Sequence, residues 1–365
     1  MIQPSDRKLG PRELVTVIIL TMGIKFSDMT PTILFKEVGN AAWMVPILAG
    51  CIMFIPFIFL LVLLKHYKDQ GFLDIIRQVV GEKLAFVFGM MLFLIAFSST
   101  IVNSRSYTDI INTMFFPDTT NINIYILLMV ASYFVANRGF LVIGYTAYLT
   151  APYIKAVLAL LVILVIPHLN FDYLFPIFGN GVGEIALNSL VYSPIMGDVL
   201  FFSIVFPIFK NYTAFKKASI AAYIFVIVEL VIFYATFIMY FDYTGIKHIP
   251  YPFQEITRSV EVGRFLSNVE ALFLGFWSVA TVVRFAVYLY ISVATFAYSL
   301  KIKEFEPLLL PFGALTVLLG SIPQNLIYNT LILRVQYILN ASWIFLLILP
   351  PLIWTIAKLK GEFSK

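Results

Sequence analysis

The chain has little charge, one cysteine and three histidines, and these shortages exclude several classes of protein. Asp, Glu, Lys and Arg together make up 12% of its 365 residues, whereas 61% are hydrophobic. A soluble domain has too little polar surface to cover so much apolar volume, so the composition predicts an integral membrane protein whose solvent is the lipid bilayer. The net charge of +5 resides in short loops between apolar runs, which does not indicate binding to nucleic acid.

Residues that form cross-links, bind metals or catalyse reactions are few and scattered. Cys51 lies inside an apolar run and has no second cysteine with which to form a disulfide within the chain. His66, His168 and His248 have no partner at metal-ligand spacing. The paired aspartates, Ser/Lys dyads and His/Glu zinc motifs of membrane-embedded hydrolases are missing from the sequence. We therefore predict a protein that is not an enzyme, with no catalytic residues, no metal and no cofactor.

The apolar runs predict an all-α fold of about ten transmembrane helices in one membrane domain, residues 1–365. Each crossing of the hydrocarbon core needs roughly 20 apolar residues. The third and eighth runs are longer, so these helices should tilt or extend beyond the bilayer. The predicted spans cover about residues 13–35, 41–64, 84–116, 122–137, 140–167, 184–209, 217–241, 266–300, 305–325 and 335–357.

The charges of the loops predict the orientation of the chain. With the N-terminus inside, the cytoplasmic segments carry 16 Lys and Arg residues and the outer segments carry 5, one of which is Arg334. The positive-inside rule therefore places both termini in the cytoplasm. Apolar residues at helical spacing within 66–83 predict an interfacial amphipathic helix on the inner face. In the outer segment 242–265, we expect a short helix over 253–262 that lies on the bundle.

The first and sixth spans contain residues that interrupt a helix. The first has a glycine and two opposite charges within 23–28, followed by Pro31. The sixth has Pro194 and Gly197 within 192–198. Proline removes a backbone N–H and clashes with the preceding turn, and glycine relaxes the backbone. An ordinary kink is the alternative explanation for each interruption.

The spacing of the two interruptions is more informative than either one alone. They lie five spans apart, which predicts two five-helix inverted repeats, about 13–167 and 184–357, that each open with a broken helix. Irregular backbone at membrane depth is tolerated only around a cavity, so matched breaks are a sequence signal for a binding site near the bilayer midplane. We expect the two breaks to face each other.

Charged residues inside the spans need partners, because burying a charge at the bilayer centre costs roughly 2.5–3.5 kcal/mol on insertion scales. Lys25 and Asp28 are expected to pair with each other across one turn or with a neighbouring span. Arg105 and Asp109 are four residues apart and should pair with each other. Lys155 in the fifth span is a candidate proton-linked group, with snorkelling to the surface as the alternative.

A ligand pocket is predicted between the two breaks and the third and eighth spans. Ser99 and Asn103 share one face of the third span, as Arg284 and Tyr288 do in the eighth. Arg284 lies too deep to be free, so it is expected either to hold a ligand carboxylate or to pair with Asp198. Packing of small residues is the alternative role for the serines of the third span. The candidate ligand-binding residues are Gly23, Ile24, Lys25, Ser27, Asp28, Ser99, Asn103, Tyr192, Ser193, Gly197, Asp198, Thr281, Arg284 and Tyr288.

Nearly the whole chain resembles the permease-like B subunit of the GerA-type spore germinant receptors, a branch of the amino acid–polyamine–organocation transporters. The most specific stretch is Asn268-Val-Glu270-Ala-Leu-Phe-Leu-Gly-Phe-Trp277, which continues as Val283-Arg284-Phe-Ala-Val-Tyr288-Leu-Tyr290. Other matching pieces are Pro11-Arg12-Glu13-Leu14, Pro31, Trp43, the segment from Asn103 to Tyr107, and Phe206-Pro207. The chain departs from the family at Ile24-Lys25-Phe26, where small residues are usual, and at Asn268, where an arginine is usual.

The resemblance implies a LeuT-like fold and a role in spore germination. It implies a subunit of the spore inner membrane that binds a small germinant, commonly an amino acid, beside an A-type subunit and a C-type lipoprotein subunit. Two other functions stay open: a proton-coupled amino acid permease in the cell membrane, with Lys155 or Asp198 as the proton-linked group, and a ligand-gated ion-conducting subunit.

Overall fold

The structure is a computed structural model that describes residues 8–260, 269–323 and 325–364. The described residues form fourteen α-helices joined by short turns, and a π-helix, Tyr328–Leu339, runs directly into the last of them. The α-helices are α1 (Pro11–Gly23), α2 (Thr30–Val38), α3 (Val45–His66), α4 (Phe72–Val80), α5 (Glu82–Met114), α6 (Asn121–Ala136), α7 (Phe140–Val165), α8 (Val182–Val191), α9 (Asp198–Phe201), α10 (Tyr212–Gly245), α11 (Pro252–Ser259), α12 (Val269–Ser299), α13 (Leu309–Gly320) and α14 (Asn340–Leu359).

Six helical segments in the described ranges are long and apolar enough to cross a membrane, and three shorter apolar helices accompany them. The uninterrupted spans are α3, α5, α6, α7, α10, α12, α13 and the π-helix together with α14. The pairs α1/α2 and α8/α9 form the two interrupted spans, so the ten expected spans are confirmed. The long third and eighth spans correspond to α5 with 33 residues and α12 with 31. The boundaries of the two repeats, about 13–167 and 184–357, remain a prediction.

Helix α1 is the centre of the bundle. Its second half is buried on every side, because α7, α10 and α12 all pack against it. A helix that is apolar all round is stable only in such an interior position. The first break follows directly from the C-terminal end of this helix, so the non-helical segment begins in the middle of the molecule.

Both predicted breaks are present. After Gly23 the chain makes a 3₁₀ turn and then an extended residue, Asp28, before α2 begins at Thr30. In the sixth span, α8 ends at Val191 and a 3₁₀ turn beginning at Ser193 leads to the single-turn helix α9. Each break therefore leaves backbone N–H and C=O groups outside the regular helical ladder.

Three elements differ in detail from the sequence-based expectations. Helix α4 is amphipathic as expected, but other parts of the chain bury its apolar face, so this face is not available to lipid. Helix α11 runs from Pro252 to Ser259, whereas the expected helix covered 253–262. Residues 261 and 262 of that range, and also Asn268, lie outside the described residues. The last span begins well before residue 335, which moves Arg334 from the outer loop into the bundle.

The error at the last span has a physical cause. Asn329, Thr330 and Arg334 lower the hydropathy of this segment, yet all three are buried, with 0–5% of their surface exposed. They face the protein interior, where Arg334 pairs with Asp28 and Asn329 donates to Ser106, and hydropathy alone does not distinguish such a face from a loop.

Candidate functional site: a charged cavity between the two broken helices

A cavity of about 60 Å³ lies where both breaks meet α5, α12 and the last span. Ten polar or charged residues from the breaks and the flanking helices line it together with apolar side chains. The lining comprises Thr21, Lys25, Ile95, Ala96, Ser99, Asn103, Pro194, Ile195, Asp198, Phe201, Phe202, Arg284, Val287, Tyr288, Ile291, Ser292, Arg334, Ile338, Leu339, Ser342 and Leu346.

Lys25 connects the two breaks directly. Its ammonium lies 2.8 Å from Oδ2 of Asp198 and also donates to the backbone carbonyl of Ile195. The side chains are 5% and 16% exposed, so this is a largely buried ion pair. The expectation that Lys25 and Asp28 pair with each other is wrong, because the turn between them points their side chains toward different partners. The alternative, a partner on a neighbouring span, is confirmed.

Asp28 pairs instead with the last span. Its Oδ2 lies 2.9 Å from Nη2 of Arg334, and its Oδ1 accepts a hydrogen bond of 2.8 Å from the backbone N–H of Thr30 at the start of α2. The Asp28 side chain is completely buried and that of Arg334 is 6% exposed. Arg334 belongs to the π-helix, a backbone form often found at functional sites.

Arg284 lies between two tyrosines. Its Nη1 donates to the hydroxyl of Tyr107 at 2.5 Å and its Nη2 to that of Tyr288 at 3.3 Å. The centroids of the same two rings lie 4.9 and 5.2 Å from the guanidinium carbon, which adds cation–π attraction. The predicted direct pair with Asp198 does not form. The Tyr288 hydroxyl bridges them instead, since it donates to Oδ2 of Asp198 at 2.6 Å.

Neighbouring elements hold the first break in place. The indole N–H of Trp277 donates to Oγ of Ser27 at 2.8 Å, and the amide of Gln254 in α11 donates to the Ser27 carbonyl at 3.1 Å. Phe26 stacks on Phe233 with ring centroids 3.7 Å apart. Helix α11 therefore packs on the break; the sequence predicted only that the short helix of that loop lies on the bundle.

The predicted site residues divide into two groups. Lys25, Ser99, Asn103, Asp198, Arg284 and Tyr288 come together around the cavity. The others lie beside it and shape the breaks or pack around them: Gly23, Ile24, Ser27, Asp28, Tyr192, Ser193, Gly197 and Thr281. Thr281, for example, donates to the carbonyl of Trp277 within its own helix at 2.8 Å. Their roles toward a ligand stay predictions.

Sequence reasoning missed four polar residues of the lining. Thr21 lies four residues before Lys25, and Ser292 lies four residues after Tyr288, so each continues a face that was already identified. Arg334 and Ser342 come from the last span. Helical periodicity could have identified Thr21 and Ser292. It could not identify Arg334 and Ser342, because the start of the last span was misplaced.

A third buried ion pair lies on another side of α1. Lys155 in α7 and Glu229 in α10 are 2.5 Å apart, and their side chains are 17% and 7% exposed. A Cβ on Gly23 would lie 2.2 Å from Oε2 of Glu229, so the pair packs against the end of α1 just before the break. The glycine is needed here for close approach. Lys155 therefore does not snorkel to the membrane surface, which was the alternative expected from the sequence.

The remaining polar residues of α5 support the fold. Arg105 and Asp109 pair at 2.9 Å, as predicted, and Asn121 also donates to Asp109 at 2.6 Å. Ser106 accepts from the amide of Asn329 at 3.0 Å, which fastens α5 to the π-helix. Only part of the polar face of the third span therefore borders the cavity.

Comparison with known proteins gives a family and a fold. The model of the family described as "spore germination protein" matches residues 10–328. No curated protein matches the sequence significantly. Among solved structures, MhsT in complex with L-phenylalanine superposes with a TM-score of 0.71 at 13% identity and covers 97% of this chain and 90% of its own.

Two other transporters have the same architecture. Mhp1, a nucleobase-cation-symport-1 family transporter in a closed conformation with bromovinylhydantoin bound, gives a TM-score of 0.69 at 14% identity, covering 98% of this chain and 80% of its own. A Na⁺-coupled sialic acid symporter gives 0.60 at 11% identity, with coverages of 98% and 78%. These similarities establish the LeuT fold of transporters that open each repeat with a broken helix.

Proposed function

Because the chain belongs to the spore germination protein family, we propose that it is the ligand-binding, transporter-like subunit of a spore germinant receptor. The observation that carries this proposal is the cavity between the two breaks, whose charged groups join both broken helices and the last span. A ligand that replaces or reorients any of these contacts changes the relative stability of different arrangements of the helices. A ligand that binds one arrangement of the helices more tightly than another would then both occupy the cavity and shift the protein toward the first arrangement, which is the signal.

The ligand of this proposal is a small nutrient, with an amino acid as the first class to test. A volume of about 60 Å³ corresponds to roughly four water molecules, which suits a compact molecule. The proposed partners are A-type and C-type receptor subunits, and the proposed location is the spore inner membrane. Both termini would be cytoplasmic. Because Arg334 is buried in the bundle, it no longer counts among the basic residues of the outer segments. The excess of Lys and Arg in the cytoplasmic segments, which supports this orientation, is therefore larger.

Two adjacent serines of α5 provide a matched test of the cavity. Ser99 lines it, whereas Ser98 does not. Spores that carry Ser99→Ala, Ser98→Ala or Tyr288→Phe would be exposed to graded concentrations of a panel of amino acids. We expect Ser99→Ala and Tyr288→Phe to shift the concentration for half-maximal germination, with normal protein levels, and Ser98→Ala to leave it unchanged. Identical dose dependence in all three variants and the wild type would place the ligand elsewhere.

The Lys155–Glu229 pair favours a second function, proton-coupled transport. It joins α7 and α10 directly behind the end of α1, so a change in its protonation would alter packing at the first break. Uptake of the same amino acids into proteoliposomes, with and without an imposed proton gradient, separates the two functions. Gradient-driven uptake that Lys155→Met abolishes supports the permease, and binding without uptake supports the receptor subunit.

A further inference from the structure

We infer that the cavity selects a compact ligand with one net negative charge, a short-chain monocarboxylate, in preference to a neutral zwitterion. This inference rests on the proposed function, because it names the chemistry of the ligand for the same cavity. Its basis is the number of buried charges of each sign that the tertiary structure brings together there.

Three cations and two carboxylates make up the charged groups of this site in the described part of the chain. Lys25, Arg284, Arg334 and Asp198 line the cavity, and Asp28 is the ion-pair partner of Arg334. Lys25 has its carboxylate in Asp198 and Arg334 has its carboxylate in Asp28. Arg284 forms an ion pair with none of the described carboxylates; its hydrogen bonds go to the hydroxyls of Tyr107 and Tyr288, and aromatic rings lie over its guanidinium.

The excess of one positive charge is firmly buried. Arg284 is 1% exposed and is among the largest fully buried side chains of the described residues. A guanidinium does not lose its proton in proteins, and a buried charge without an ionic partner is costly. A neutral ligand leaves this imbalance as it is, and a ligand with one negative charge removes it.

Hydrogen-bond donors for such an anion are also present. Nε of Arg284, Nη1 of Arg334 and Oγ1 of Thr21 are buried and have no hydrogen-bond partner among the described residues, and all three side chains belong to the cavity lining. A carboxylate is acceptor-only and can satisfy two or three donors at once. An ammonium group, by contrast, would add a fourth cation to a site that already has one too many.

L-lactate and L-alanine are the matched probes for this inference, because they differ only in a hydroxyl in place of the ammonium. The full-length protein, purified in detergent, would be titrated with each compound and with L-alaninamide as the cation, and its melting temperature followed. We expect L-lactate to stabilise the protein at concentrations at least tenfold lower than L-alanine, and L-alaninamide to have no effect.

Asn103→Asp tests the charge count without removing a cation. Asn103 is buried and lines the cavity, and the substitution is isosteric, although it removes the hydrogen bond of 2.6 Å that Nδ2 donates to the Ser99 carbonyl. A new buried carboxylate normally destabilises a protein, but here it would cancel the excess positive charge. We therefore expect a higher melting temperature without ligand and loss of the preference for L-lactate, whereas Ser98→Ala keeps both properties of the wild type.

The outcomes separate this inference from the proposed function. If L-alanine stabilises the wild type as well as L-lactate or better, the net charge of the ligand is not what the site selects, and the receptor proposal still stands. If none of the three compounds acts on the wild type, or if Asn103→Asp lowers the melting temperature and keeps a preference for L-lactate, the inference is overturned. The germination assay with Ser99→Ala judges the proposed function independently.

Discussion

Two of the buried charged clusters in the described part of this protein differ in their balance of charge. Lys155 and Glu229 form one closed pair that packs against Gly23. The cavity cluster has an unequal number of cations and carboxylates, and one of its cations, Arg284, is surrounded by tyrosines. A balanced pair is complete within the chain, whereas an unbalanced cluster is completed by something from outside. The comparison therefore distinguishes a site that links helices from the site that we propose for a ligand.

The two clusters also differ in the type of cation that they contain. A lysine can exist as a neutral amine when it is desolvated, but an arginine remains charged. The cavity contains two arginines, and the Lys155 pair contains none. Loss of a carboxylate should consequently be tolerated better at the Lys155 pair than at the cavity.

The largest effect is expected for Asp28→Asn. It leaves Arg334 without its carboxylate and increases the excess of positive charge in the cavity, so we expect a loss of about 3–5 kcal/mol in the free energy of unfolding. The melting temperature in detergent measures this loss. The double variant with Arg334→Met should recover most of it; if it is as unstable as the single variant, the two side chains are not energetically coupled.

A smaller effect is expected for Glu229→Gln. The Lys155 ammonium loses its partner, but its side chain is 17% exposed, against 6% for Arg334, so the loss should be about 1–3 kcal/mol. A double-mutant cycle with Lys155→Met, read from melting temperatures, gives the coupling energy of the pair. A loss larger than that of Asp28→Asn would contradict the distinction between the two clusters.

Gly23→Ala tests the close packing behind the first break. The new Cβ would lie 2.2 Å from Oε2 of Glu229 and 3.0 Å from Nζ of Lys155. Because it meets a movable side chain end, we expect a loss of only about 1 kcal/mol. Gly275→Ala, where a Cβ meets no atom within 4 Å, is the control and should be neutral or slightly stabilising. Equal effects of the two alanines would show that Gly23 is not needed for close approach.

The smallest effect is expected for Lys301→Ala. Lys301 and Glu82 pair at 2.9 Å, but their side chains are 59% and 67% exposed. Water screens such a pair, so its removal should leave the melting temperature unchanged within error. A clear drop would mean that exposed pairs in this protein contribute as buried ones do, and the comparison of the two buried clusters would lose its basis.

Most of the fold follows from the sequence. The length of the apolar runs predicts ten spans, and the matched Pro/Gly interruptions predict which two are broken, because both signals are local along the chain. The i, i+4 pair of Arg105 and Asp109 was also predicted correctly for this reason. The start of the last span was not, since polar residues that face a protein interior have the hydropathy of a loop.

The site is predicted only in part. Helical periodicity identifies Ser99 with Asn103, and Arg284 with Tyr288, and all four line the cavity. Sequence gives no means of choosing the partner of a buried charge on another helix. Lys25 was expected to pair with Asp28 three residues away, yet its carboxylate belongs to Asp198, far along the chain.

The sequence by itself determined that this protein lies in a membrane and where its helices break, because these properties depend on composition and local order; it also identified most of the buried charges, but not Arg334. Only the tertiary structure decided how those charges combine. The packing of the two breaks against the last span brings three cations and the carboxylate of Asp198 to one cavity, with Asp28 beside it, and leaves Lys155 balanced by Glu229 elsewhere. Electrostatic balance depends on distances in space, and these are set by the way the helices pack.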